Sequence, residues 1–170
     1  MSNESTNTRL DKIARVMLRH GVRFIVIGGQ AEYIFGSPRV TYDVDFCYRR
    51  DPQNLENLAA ALGELGVTLR GAPAGLPFKL DQKTLAMGSN FTFNTGDDIG
   101  LDLLGYVEPI GEFDKLDQKA SNYDVNGLEL RVIDLDDLIR IKQHINRSKD
   151  RESLLQLLAI KKLREETGQR

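Results

Sequence analysis

The stretch IGGQAEYIFGSPRVTYDVDF (Ile27–Phe46) sets a glycine pair at the end of one apolar run and two aspartates on alternating positions of the next. The preceding run VRFIVI is short, β-branched and aromatic, which predicts a strand buried on both faces. Gly28-Gly29 then opens a short helix over QAEYIF that stops near Gly36-Ser37-Pro38, and TYDVDFCY predicts the second strand. On a strand, residues i and i+2 share a face. Asp43 and Asp45 are therefore expected side by side, with Tyr42, Val44 and Phe46 turned to the other face. Adjacent carboxylates raise each other's pKa unless a cation neutralises them. Magnesium or manganese suits such a pair, because each takes carboxylate oxygens and leaves positions for substrate phosphates. The glycine pair offers backbone N–H groups and a helix N-terminus to a phosphate. A phosphate cradle just upstream of a metal-binding pair gives both features one purpose. An incidental D-x-D on an exposed edge strand would leave the glycines unexplained.

The chain around this stretch has 170 residues, 41% hydrophobic and 28% charged, which suits one globular domain with a sizeable core. A formal net charge of −2 argues against a protein that lives mainly on nucleic-acid phosphates. With one cysteine, Cys47, and two histidines, neither a disulfide framework nor a Cys/His zinc site is expected. The N-terminal MSNESTNTRLDK lacks the apolar core of a signal peptide, and no run is long enough for a membrane helix. A cytoplasmic protein with no membrane partner is the expectation.

Further along, TRLDKIARVMLRHG has helical spacing of Leu10, Ile13, Val16 or Met17, and Leu18, closing on Gly21. DPQNLENLAAALGELG predicts a helix starting at Asp51-Pro52 and ending at Gly66. The Gly- and Pro-rich VTLRGAPAGLPFKLDQ gives no periodicity. TLAMGSNFTFNT and DIGLDLLGYV read as two strands joined by a turn at Gly96, and Asn126-Gly127 in YDVNGLELRVI marks a hairpin. Two helices, DLDDLIRIKQHIN and KDRESLLQLLAIKKLREE, close the chain. The expected fold is α/β (α+β): a small mixed sheet flanked by helices, with a C-terminal helical pair. We expect a single domain over 1–170, its core at about 8–133 and its C-terminal helices at about 134–166.

Three charged residues fall where apolar ones belong. Asp102 alternates with Leu101 and Leu103 on its strand, the pattern of a ligand rather than of a solvated surface. In the first closing helix Lys142 lies near the centre of the stripe Leu135, Leu138, Ile139 and Ile145. In the second, Asp150 falls on the stripe of Leu154, Leu157 and Leu158. Unpaired charges on buried faces are costly, so a Lys142–Asp150 pair, or Asp150 as a helix cap, is one expectation.

The residues Gly28-Gly29, Asp43-Val44-Asp45 and a later Asp102 resemble the nucleotidyltransferase superfamily of the DNA polymerase β type. The segment GSPRVTYDVDF is similar to the version in small bacterial members, among them lincosamide-type antibiotic nucleotidyltransferases and abortive-infection nucleotidyltransferase toxins. The resemblance spans Val22 to about Leu158, and only its first block is specific. It implies transfer of a nucleoside monophosphate from a nucleoside triphosphate to an acceptor hydroxyl or phosphate. Asp43, Asp45 and Asp102 would bind Mg2+ or Mn2+ and carry catalysis, Asp102 as a metal ligand or as the base. Gly28, Gly29, Arg39, Lys142 and Asp150 would bind the nucleotide, with Arg147 and Lys149 completing the toxin-like pattern. The acceptor stays open among a small molecule, tRNA and a protein, and the toxin-like members imply a cognate antitoxin. The alternative is a nucleotide-binding or protein-interaction module of the same fold that has lost its chemistry.

Overall fold

The computed structural model describes residues 2–38, 41–73 and 79–168. In chain order its elements are α1 (Ser2–Arg19), β1 (Phe24–Ile27), α2 (Gly28–Ile34), β2 (Val44–Tyr48), α3 (Pro52–Leu65), β3 (Thr68–Leu69), α4 (Gln82–Met87) and β4 (Asn90–Asn94). There follow β5 (Gly100–Leu104), β6 (Tyr106–Val107), β7 (Gly111–Glu112), α5 (Phe113–Asp117), β8 (Ser121–Val125), β9 (Leu128–Val132), α6 (Leu135–Ile145) and α7 (Arg151–Thr167). A 3-10 turn, Ser148–Asp150, leads into α7.

Seven strands form one mixed sheet in the order β3-β4-β5-β2-β1-β9-β8. The β2–β5 and β1–β9 pairs are parallel, the others antiparallel. The expected mixed sheet with flanking helices and a closing helical pair is present. The central strands are buried on both faces, as their composition predicts: Phe24 to Ile27 throughout β1, and Val44, Phe46, Cys47 and Tyr48 in β2. Helix α1 supplies Leu10, Ile13, Ala14 and Met17 to the same core. Among the described residues no helix is long and apolar enough to cross a membrane.

Local signals set most boundaries. Asp51 caps α3 by accepting from the Asn54 N–H at 3.0 Å, and Gly66 ends it in the left-handed region. Asn126 and Gly127, at φ 53° and 83°, turn β8 into β9.

Four expectations need correction. Thr84–Met87 belongs to α4 rather than to a strand: Asp81 accepts from the Thr84 N–H at 2.8 Å and starts a helical turn, and extended pairing begins at Asn90, two residues after Gly88. DIGLDLLGYV breaks at Gly105, so β6 pairs with β7 in a separate small hairpin. Tyr42 and Asp43 precede β2 instead of lying on it, and Tyr42 is exposed, with Arg9 over its ring. In the closing helices Ile145 and Leu158 face outward, while Ile141, and Ser153 beside Leu157, turn inward. The helix α6 phase therefore centres on Leu138, Ile141 and Lys142 rather than running on to Ile145.

Candidate active site

Strand register brings two of the three carboxylates, Asp45 and Asp102, together. Asp45 of β2 lies opposite Ile27 of β1 on one side and Asp102 of β5 on the other, and Thr92 of β4 lies beyond Asp102. Asp43 sits in the bend before β2, where its carbonyl accepts from the buried Gln30 side chain (3.4 Å) and from the Thr41 hydroxyl (3.3 Å). All three carboxylates line one cleft of about 1010 Å3 with Gly28, Gly29 and Lys142. The cleft is lined further by Phe91, Tyr106, Ile141 and His144.

Glycines give the carboxylates room. Gly28 has φ +65°, and a Cβ there would run into the Asp45 carboxyl group. At Gly29 a Cβ would stand 2.6 Å from Thr41 Oγ1. A Cβ on Gly100 would collide with both the Asp43 carboxylate and the Arg70 guanidinium. No side chain caps the start of α2, whose N-cap is Ile27. Gly28 and Gly29, its first two residues, line the cleft beside Asp45.

The cluster is short of positive charge. Burial first, then the hydrogen bond and charge of Asp102, then the charge of Asp43, push Asp45 up to about 8, against the pull of Lys142. Asp102 Oδ1 is buried and has no hydrogen-bond partner among the described residues. Among the described residues Arg70 pairs with two of these acids, its Nη1 standing 3.9 Å from Asp43 Oδ2 and 3.9 Å from Asp102 Oδ1.

Oxygen-only donors, an orphaned buried carboxylate oxygen and a carboxyl driven toward protonation all fit a hard divalent cation. Among the described residues no three Asp, Glu, His or Cys side chains converge into a ready cage. Asp45 and Asp102 meet; Asp43 is half exposed and stands apart.

On the glycine side the closing helices deliver a buried ion cluster. Lys142 Nζ lies 2.9 Å from Asp150 Oδ1 and 3.2 Å from Glu32 Oε2, and Arg147 Nε donates to Asp150 Oδ2 at 2.6 Å. Burial raises the Asp150 pKa, and the hydrogen bonds from Lys142 and Arg147 outweigh it, leaving about 2. The Lys142–Asp150 pair was one expectation; Glu32, Arg70 and Gly100 were not foreseen. Glu32 is 2% exposed in the middle of α2, where a helical reading of QAEYIF gives no reason to bury it. Arg70 stands in the stretch without periodicity. Arg39 lies outside the described residues.

No protein-family model and no curated protein sequence matches the chain. Solved structures do. The lincosamide antibiotic adenylyltransferase LnuA, with lincomycin bound, superposes with a TM-score of 0.62 at 14% identity over 90% of this chain and 96% of that one. The chain has a nucleotidyltransferase fold. The antibiotic-resistance factor ANT(2'')-Ia in solution gives a TM-score of 0.61 at 15% identity, over 97% of this chain and 92% of its own. A nucleotidyltransferase-like protein from Paracoccidioides brasiliensis gives 0.61 at 15% identity, over 94% and 77%. The nucleotidyltransferase fold thus extends over nearly the whole chain, C-terminal helices included.

Proposed function

We propose that residues 1–170 form one nucleotidyltransferase domain that moves a nucleoside monophosphate from a nucleoside triphosphate to an acceptor. The observation that carries this reading is the register of Asp45 against Asp102, beside the Gly28 turn, inside the main cleft. In this reading Asp45, Asp102 and the more exposed Asp43 hold Mg2+ or Mn2+, which supplies charge neutralisation of the triphosphate. Gly28 and Gly29 let the phosphates approach the backbone, and the start of α2 gives them N–H donors. The acceptor oxygen forms a bond to the α-phosphorus while the bond from that phosphorus to the bridging oxygen breaks, and pyrophosphate leaves. Asp102 lies on the side away from the glycines, where a base for the acceptor proton belongs. Catalysis rests on positioning and electrostatics.

Lys142 and Asp150 take their place at the triphosphate end, and Arg39 belongs to the segment leading into Asp43. The acceptor is a small molecule, a tRNA or a protein. LnuA was solved with lincomycin bound and ANT(2'')-Ia in complex with adenylyl-2''-tobramycin, which favours a small hydroxylated acceptor, and the net charge of −2 disfavours RNA. A cognate antitoxin would accompany only a toxin role. The cytoplasm, where triphosphates and reduced thiols coexist, suits the buried lone Cys47. A second reading, a module of the same fold without chemistry, draws support from Lys142, whose ammonium is already taken up by Glu32 and Asp150.

Thermal unfolding with each of the four common nucleoside triphosphates, with and without magnesium, separates a nucleotide site from a protein-interaction module, and release of pyrophosphate separates transfer from binding alone. A ligand at a hundred times its dissociation constant stabilises by about 2.7 kcal/mol. A magnesium-dependent rise for one nucleotide, lost in Asp45→Ala, is expected. No rise with any of the four transfers the assignment to the module.

A further inference from the structure

The Arg70 guanidinium is built into the carboxylate cluster from the side opposite the glycine pair. Its backbone N–H donates to the Thr92 carbonyl at 3.0 Å, its Nε donates to Asn94 Oδ1 at 3.2 Å and its Nη2 to the Phe93 carbonyl at 3.2 Å. These contacts with β4 hold the fork in place and present Nη1 to the two acids. At 3.9 Å from both Asp43 Oδ2 and Asp102 Oδ1, Nη1 pairs with them by charge and lies beyond hydrogen-bond distance. The contact is attractive without being locked. Gly100 keeps the space clear, since any side chain there would strike both the Asp43 carboxylate and the Arg70 fork.

The arginine brings one positive charge to the two acids in a planar, pre-organised fork. Its single positive charge repels a second cation that approaches the same oxygens, and it does so at short range in a partly buried site. A divalent cation that arrives with a triphosphate meets a different balance, because the phosphates bring their own negative charge to the cluster. We propose that Arg70 is a resident counter-ion that makes cation binding depend on nucleotide binding: the carboxylates take up a free divalent cation poorly and a cation–nucleotide complex well. This rests on the nucleotidyltransferase reading and adds to it a residue that sets the order of loading.

The test is the affinity of Mn2+ for the full chain, read by its paramagnetic resonance signal, alone and with a non-hydrolysable nucleoside triphosphate analogue. Arg70→Met removes the charge, Arg70→Gln removes it while keeping a donor for Asn94, and Arg70→Lys keeps the charge. Met and Gln variants are expected to bind Mn2+ alone at least about threefold more tightly than wild type, with a smaller gain on adding the analogue, since coupling between two ligands is reciprocal. The Lys variant is expected to stay near wild type. If wild type binds Mn2+ in a manner lost in Asp45→Asn while neither neutral variant binds Mn2+ more tightly, Arg70 is not the counter-ion and the metal site stands. If no form binds Mn2+ with or without the analogue, the Arg70 proposal and the nucleotidyltransferase reading both fall.

Discussion

Glu32 and Lys142 form an ion pair at 3.2 Å with both side chains almost wholly buried, joining α2 to α6 directly behind the glycine pair. Because Asp150 takes the same ammonium at 2.9 Å, one lysine serves two buried carboxylates. Removing the lysine therefore strips Glu32 of this cation and leaves Asp150 with Arg147 in place of two cations. Breaking a buried pair from one side costs about 3–5 kcal/mol, whereas removing both partners costs far less. Lys142→Met is expected to lose stability in that range by urea unfolding. Adding Glu32→Gln to it should recover a measurable part, with a coupling energy of about 1 kcal/mol or more in the double-mutant cycle. Simple additivity would mean that the pair contributes nothing.

Asp150 predicts the acid limb of stability. Its folded pKa of about 2 lies below the ordinary value, so the folded state favours the ionised form. The resulting stabilisation is fully present above about pH 4 and is lost as pH falls through about 2. Wild type is expected to exceed Asp150→Asn by about 2 kcal/mol at pH 6, the difference narrowing at pH 3. A gap that does not change with pH would remove the electrostatic account.

Asp45 predicts the opposite slope in the protein free of metal. Its folded pKa is raised to about 8, so between about 4 and 8 the folded state binds more protons than the unfolded one, and stability falls as pH rises. Asp45→Asn removes that penalty. At pH 8 without metal the variant should melt above wild type by at least about 3 °C, the shift that about 1 kcal/mol produces in a domain of this size. Below about pH 4, where the carboxyl is protonated in both states, the two should converge. Magnesium should raise the wild type alone, and a chelator should reverse the rise. A variant that melts lower at pH 8 would mean that Asp45 is stabilised by partners other than a cation.

The legible parts of this chain were those where one residue type answers one local demand. Asp51-Pro52, Gly66 and Asn126-Gly127 each mark a boundary through backbone geometry alone, and each stands where its chemistry places it. The Asp45–Asp102 meeting was legible because both alternate with apolar residues on strands, although only the sheet order makes those strands neighbours. Asp43 was misplaced because the buried Gln30, on α2, and the neighbouring Thr41 hold its carbonyl in a bend, and no alternation of apolar residues signals either contact. Arg70 follows a two-residue edge strand too short to show a period. Glu32 could not be read at all, since its partner lies more than a hundred residues away on α6.

Gly28 offers the sharpest separation of backbone cost from site geometry. It adopts φ +65°, and Gly127 in the β8–β9 turn adopts φ +83°. An alanine at either must enter the left-handed region at a cost of about 1–2 kcal/mol. At Gly127 the new Cβ meets nothing within 4 Å, so that variant measures the backbone term alone. At Gly28 it meets the Asp45 carboxyl and displaces it from Asp102. Gly28→Ala should therefore lose more stability than Gly127→Ala and also lose the magnesium-dependent nucleotide response, which Gly127→Ala should keep. Equal losses in urea with the nucleotide response intact in both would show that Asp45 yields to the methyl group without cost, and that the close approach of Gly28 to Asp45 is incidental to the cleft.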